Sequence, residues 1–222
     1  MTDLAETYFA VHQEVNAAGA RLVAVSKTKP HEAIMALYEM GHRDFGENRV
    51  TELVEKYEAL PKDINWHFIG HLQRNKVKYI APFVHLIHAV DSSRLLREID
   101  KRAKEAGRSI PVLLQYHIAE EASKFGLDPE KASAIFADID REALSHARIL
   151  GVMGMATYTD KDEQIAEEFQ QLADIHEALK QDRFSNDPDF QEISMGMSGD
   201  YPIALQKGST LVRVGSLLFG NR

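Results

Sequence analysis

There is no cysteine among the 222 residues. Disulfides, thiolate nucleophiles and cysteine-ligated metals are thereby excluded, and the composition fits a reducing compartment. Equally absent is any apolar run of bilayer length, and the opening Met-Thr-Asp-Leu-Ala-Glu-Thr-Tyr lacks the basic segment and apolar core of a leader peptide. The expectation is a soluble cytoplasmic protein with no membrane partner. Positive charge is scarce, since 26 Lys and Arg against 34 Asp and Glu leave a formal net charge of −8. No broad nucleic-acid surface is expected from that balance, although a local basic cleft is compatible with it. No low-complexity linker or shift of composition divides the chain. Residues 1–222 therefore read as a single domain, 44% hydrophobic and large enough for a sizeable core.

What is present begins with Arg21 to Pro30, Arg-Leu-Val-Ala-Val-Ser-Lys-Thr-Lys-Pro. Branched apolar residues alternate there, so Arg21 to Lys27 reads as a strand that Pro30 prevents from extending. With a period of two, Val23, Val25 and Lys27 share one face. Lys27 ends an apolar row at the strand's C-terminal end, a place where burial disfavours the ammonium form and exposes a nucleophilic amine. The plainer reading of this stretch alone is a strand-end lysine reaching to water.

The rest of the chain repeats strand and helix at a regular pitch. A first helix, with Thr2 or Asp3 as N-cap, carries Leu4, Tyr8, Val11 and Val15 at helical spacing and stops at Gly19. After the first strand, further strands are predicted at His42–Asn48, Asn65–Gly70, His85–Asp91, Ile110–Ile118, Arg148–Met155, Gln191–Met197 and Thr210–Gly215. Helices are predicted between them, at His31–Met40, after Val50, and at Gln73–Ala81, Ser92–Ala106, Pro129–Leu144, Asp160–Lys180 and Tyr201–Lys207. Eight strands alternating with helices point to an α/β fold, a single (β/α)₈ TIM barrel preceded by one extra helix. A doubly wound open sheet is the alternative.

In such a barrel, function collects at the C-terminal strand ends, with a phosphate site commonly after strands seven and eight. Strand seven runs into Ser194-Met-Gly-Met-Ser198-Gly-Asp and strand eight into Arg213-Val-Gly215-Ser216. Hydroxyls, glycines and free N–H groups at two helix starts suit a dianionic phosphate, though each segment alone reads equally as a tight turn. Closure would set strand eight beside strand one, bringing Arg213 near Lys27 with Asn48 on the other side. An amine, a guanidinium and a phosphate cradle are the parts needed to hold pyridoxal phosphate as a Schiff base on lysine.

Several short motifs reinforce this. Val-Ala-Val-Ser-Lys27-Thr-Lys-Pro, Phe-Gly-Glu-Asn48, Trp-His67-Phe-Ile-Gly-His-Leu-Gln-Arg-Asn-Lys, Met153-Gly-Met, Ser194-Met-Gly-Met-Ser198-Gly-Asp and Thr210-Leu-Val-Arg213-Val-Gly215-Ser-Leu-Leu-Phe-Gly occur in order. Together they resemble the YggS/PROSC family of pyridoxal phosphate homeostasis proteins, over Arg21 to Arg222. The resemblance implies an alanine-racemase-like barrel with Lys27 as the Schiff-base lysine. It also implies phosphate contacts around Ser198, Gly215 and Ser216, Arg213 at the pyridine nitrogen and Asn48 near the ring. The chain departs from the family pattern at Tyr116-His117-Ile118, followed by Glu121, Lys124 and Gly126, where a ring-side asparagine is usual.

An arginine at the ring nitrogen keeps it unprotonated and weakens its use as an electron sink. The chain runs only seven residues past Gly215, so the second, β-rich domain of a racemase is expected to be missing. The expected function is therefore intracellular homeostasis and delivery of the vitamin B6 cofactor without robust turnover, with pyridoxal-phosphate-dependent apoenzymes as partners. Two alternatives stand beside it, a weak amino-acid racemase and a cofactor-free Schiff-base aldolase. No metal is expected: His85 and His88 would face opposite sides of a strand, and His67 and His71, placed at the exit of strand three, lack a third ligand in register. Trp66 and Tyr79 read as packing residues.

Overall fold

The computed structural model describes residues 4–121, 126–128, 132, 135–137 and 144–220. Helix Leu4–Ala17 (α1) buries Tyr8, Val11 and Val15 and packs on the strand that follows, Arg21–Val25 (β1). The next strands are Asp44–Glu47 (β2), Asn65–Phe68 (β3), Leu86–Val90 (β4) and Ile110–Gln115 (β5). Ala147–Met153 (β6), Glu192–Met197 (β7) and Leu211–Val214 (β8) complete the set. The intervening helices are His31–Glu39 (α2), Val50–Ala59 (α3), Val77–Ile80 (α4, entered through a 3₁₀ turn at Arg74–Lys76) and Ser93–Glu105 (α5). Asp162–Asp182 (α6), Tyr201–Gln206 (α7) and Ser216–Phe219 (α8) follow.

All eight strands are parallel, and each pairs with its sequence neighbours. β8 returns to β1 with Leu22 opposite Val212 and Val23 opposite Arg213, so the sheet closes and the open alternative is set aside. Period-two patterning then sorts the strand residues. Val23, Leu86, Leu113, Met153 and Leu211 fill the lumen, while Leu22, Ala24, Phe45, Trp66 and Phe68 face the helices. Helical stripes meet that outer face: Leu95, Leu96 and Ile99 from α5, and Ile165, Phe169 and Leu172 from α6. Each such fully buried side chain contributes about 1.5–3 kcal/mol. Gly151 lets β6 lie close to β7, because a Cβ there would come 1.8 Å from the Glu192 carbonyl oxygen.

The strands are shorter than the sequence predicts. β1 ends at Val25 because the Ser26–Lys29 segment closes a turn, with Lys29 N–H donating to Ser26 O at 3.0 Å. Lys27 sits at the tip of that turn. β5 stops at Gln115, after which Tyr116 forms an isolated bridge with Leu127. The loop-like Phe184–Gln191 segment is packed: Phe190 is fully buried and stacks on Phe184 at 4.1 Å between ring centroids. The predicted caps Thr2 and Asp3, Lys124, and most of the predicted helix Pro129–Leu144 lie outside the described residues.

Candidate functional site

At the C-terminal end of the barrel the strand ends surround a cavity of about 750 Å³. Lys27, Asn48, Ser198, Arg213, Gly215 and Ser216 all line it, so closure brings together the six residues singled out from sequence. The volume lies within the range of small-molecule sites.

Lys27 is half-buried in the cavity wall and, among the described residues, has no carboxylate or hydrogen-bond partner. Its neighbour Lys29 is tethered, donating to the carbonyls of Phe219 (3.1 Å) and Gly220 (3.0 Å). The turn holding Lys27 is built on buried charge. Lys56 Nζ donates to Glu47 Oε1 (2.7 Å), Glu52 Oε1 (2.7 Å) and Ser26 O (2.8 Å), and Ser26 Oγ donates to Glu47 Oε1 at 2.7 Å. Burial pushes the Glu47 carboxyl up, with the Lys56 charge opposing it. Thr28 adopts φ 63°, unusual for a residue with a β-branch, and its N–H donates to Glu52 Oε1 at 2.5 Å. Asn48 is seated by Gly70, where a Cβ would approach the Asn48 carbonyl oxygen to 2.5 Å.

At the exits of β7 and β8, Ser198 Oγ accepts from the N–H groups of Gly215 (3.1 Å) and Leu217 (3.3 Å). Gly199 is bare, with open space where a Cβ would stand. Backbone donors, two hydroxyls and an open glycine fit a phosphate. Arg213 is buried, donating from Nη1 to Ser194 Oγ (2.5 Å) and from Nη2 to Gly154 O (3.1 Å). Burial pushes its guanidinium down to about 10 while the Asp200 charge opposes this, so it stays cationic at neutral pH.

Some lining residues escaped sequence reasoning. Gln115 and Met155 follow from the barrel rule, standing at the ends of β5 and β6. Thr157 does not: it is held by Glu168 on α6, whose carboxylate accepts from Thr157 N–H and Oγ1, both at 2.6 Å. Glu168 sits inside an apolar stripe, the one signal that could have marked it.

His71 lines the cavity, whereas His67 does not; it is buried within the barrel, hydrogen-bonded to Asp44 and His88. The third ligand absent from the sequence reading does exist: Asp44, His67 and His85 bring ligand atoms within 4.8 Å of one another. His67 nevertheless already uses both ring nitrogens, on Asp44 and His88. Trp66 is fully buried packing, but Tyr79 is exposed beneath the Lys76 and Lys78 amines. His117 hydrogen-bonds to the Glu121 carbonyl at 2.9 Å and stands outside the cavity lining.

The family described as "Alanine racemase, N-terminal domain" matches residues 2–222. The chain is 40% identical to the pyridoxal phosphate homeostasis protein of Aquifex aeolicus, covering 91% of this chain and 87% of that one. It is 34% identical to the protein of the same name from Schizosaccharomyces pombe, covering 96% and 88%. Among solved structures, PipY of Synechococcus elongatus PCC7942 superposes with a TM-score of 0.89 without PLP and 0.87 with PLP bound. It is 34% identical, and the match covers 98% of this chain and 100% of PipY. Alanine racemase of Bartonella henselae, 16% identical with a TM-score of 0.72, shares the fold; the match covers 98% of this chain and 58% of that one.

Proposed function

The chain belongs to the alanine racemase N-terminal domain family and, within it, to the pyridoxal phosphate homeostasis proteins, and from that premise we propose that it binds pyridoxal 5'-phosphate at the C-terminal mouth of its barrel. Lys27 supplies the amine that takes the aldehyde as a Schiff base. Ser198, Gly215 and Ser216 hold the phosphate, Asn48 lies near the ring and Arg213 faces the ring nitrogen. The observation carrying this reading is that, among the described residues, the cavity's untethered lysine shares its lining with a set of backbone and hydroxyl donors and a buried guanidinium.

When bound, the cofactor supplies an aldehyde that captures amines and a ring that can act as an electron sink. This chain works against the second use. A cationic Arg213 disfavours a proton on the ring nitrogen, since two cations at hydrogen-bond distance repel. Taking this together with the homeostasis proteins the chain is similar to, we read the protein as a carrier that buffers the cofactor and passes it to apoenzymes in the cytoplasm. The PipY structure with PLP bound and the names of the homologues support binding and homeostasis.

The test is the visible absorbance of purified protein with added pyridoxal phosphate, followed by borohydride reduction and mass mapping. A Schiff-base band that reduction abolishes, with the adduct on Lys27, is expected. No band, or adducts scattered over surface lysines, would overturn the assignment.

A further inference from the structure

Beneath the cavity, the lumen carries a line of polar groups through the apolar filling. Asp44 Oδ1 is 3.0 Å from His67 Nε2, His67 Nδ1 is 2.9 Å from His88 Nε2, and His88 Nδ1 is 2.9 Å from Ser194 Oγ. Arg213 Nη1 reaches the same Ser194 Oγ at 2.5 Å. His67, His88 and Ser194 are completely inaccessible to solvent, and Arg213 is buried. Five strands contribute one residue each, and the line runs from Asp44, the first residue of β2, to Arg213 in the cavity lining.

Donor and acceptor chemistry gives this line a single direction. A guanidinium only donates, so Ser194 Oγ accepts from Arg213. The Ser194 hydroxyl proton then needs an acceptor of its own, and among the described residues His88 Nδ1 is the one in reach. His88 therefore bears its proton on Nε2 and donates to a bare His67 Nδ1. His67 in turn carries its proton on Nε2 and donates to the Asp44 carboxylate, which can only accept. Reversing the Ser194–His88 bond would leave a buried hydroxyl without an acceptor, reversing the His88–His67 bond would leave His88 with no ring proton, and reversing the His67–Asp44 bond would set two lone pairs against each other. Burial, with the Arg213 charge adding to it, holds the His88 imidazole well below its usual range, in keeping with a neutral ring.

We propose that Ser194, His88 and His67 form a one-way hydrogen-bond chain that positions the Arg213 guanidinium beneath the cavity and ties it to the Asp44 carboxylate at the opposite mouth. Ser194 and Gly154 O engage one nitrogen each, which sets the plane of the fork and leaves its other N–H groups for a ligand. The chain's bearing on pyridoxal phosphate rests on the function proposed above; the direction of the chain does not. The three residues are positioning residues, acting through Arg213 and not on the cofactor itself.

Nitrogen-15 spectroscopy of histidine-labelled protein without cofactor tests the direction. His67 and His88 are both expected as neutral Nε2–H tautomers at neutral pH, and Ser194→Ala is expected to keep that tautomer, held from the Asp44 end, while shifting the His88 Nδ1 resonance as it loses its donor. An Nδ1–H or doubly protonated His88 in the folded wild type would overturn the chain. With cofactor added, Ser194→Ala and His88→Gln are each expected to shift the visible band and weaken binding about tenfold, the loss of one buried charge-assisted partner. Unchanged band and affinity in both folded variants would overturn the positioning role even if the tautomers agree. Failure of the wild type to bind cofactor would sink the carrier reading alone, because the tautomers are read without it.

Discussion

Lys56 Nζ lies 2.7 Å from Glu47 Oε1, and both side chains are almost wholly removed from solvent beneath the turn that carries Lys27. A pair buried this deeply stabilises little against a hydrophobic replacement, but breaking it strands a charge. Its geometry instead holds Ser26 O and, through Glu52, the Thr28 N–H. The left-handed backbone at Thr28, and with it the placement of Lys27, depends on this group.

Replacing Lys56 by Met leaves Glu47 buried and unpaired. Chemical denaturation should report a loss of about 3–5 kcal/mol. Combining it with Glu47→Leu should recover most of that loss, while unequal recovery of cofactor binding would show that the polar group aims Lys27 as well as filling space.

Replacing Lys27 by Ala should abolish the visible band formed with pyridoxal phosphate. Lys29→Ala is the informative companion, since Lys29 is bonded to the Phe219 and Gly220 carbonyls. It should keep the band, and titration by absorbance separates the two. A band surviving in the Lys27 variant would remove that lysine from the proposed function.

Acid stability should depend on Asp44. Burial raises its carboxyl, but hydrogen bonds from His67 and Asn65 and the charge of Arg21 outweigh this and bring it from 3.8 down to about 2. A carboxylate whose folded value is depressed contributes stability that is fully present above its unfolded value and is lost as pH falls through the folded one. The loss should run from about pH 4 to 2 and amount to about 2 kcal/mol. Melting curves of Asp44→Asn across that window should be flatter than those of the wild type.

Glu168→Ala should free the segment after β6. Thr157 loses the acceptor of its N–H and of its hydroxyl, at a cost of about 1–3 kcal/mol if those groups stay dry. Hydrogen exchange at Thr157 should accelerate while the β6 amides, held in the barrel ladder, keep their protection.

Much of the architecture was legible because it rests on periodicity. Alternating residues such as Val23 and Leu22 declare two faces, and the stripe Ile165, Phe169, Leu172 declares a helix on one of them. The six cavity residues followed from applying the barrel's strand-end rule to Lys27 and to the glycine-rich exits of β7 and β8. The lumen chain was not legible. Period two places His67 inward, but nothing local says that His88 meets it across a neighbouring strand whose pairing register shifts between Ile87 and Val90. Nor does it say that Asp44, at the very start of β2, closes the line. Strand spacing relates His85 only to His88, whereas in the barrel both rings pack against His67, at 5.3 and 5.2 Å between centroids. Glu47, Lys56 and Glu168 were hidden for a related reason: buried charges on apolar faces acquire meaning only from partners on other elements.

The pairing of β1 with β8 also sets a schedule. Lys27 leaves the ribosome well before Arg213 and Gly215, which belong to the eighth strand and its exit, so the lysine waits for the rest of the barrel before its surroundings exist. Long-range closure of this kind is slow to form, since the entropy of bringing distant segments together precedes any gain from their contact. On the proposed function, a nascent or half-unfolded chain thus offers free aldehyde a lysine no better than those on its surface. Retention of the cofactor would then report on completed folding, and its release on the opening of a single seam.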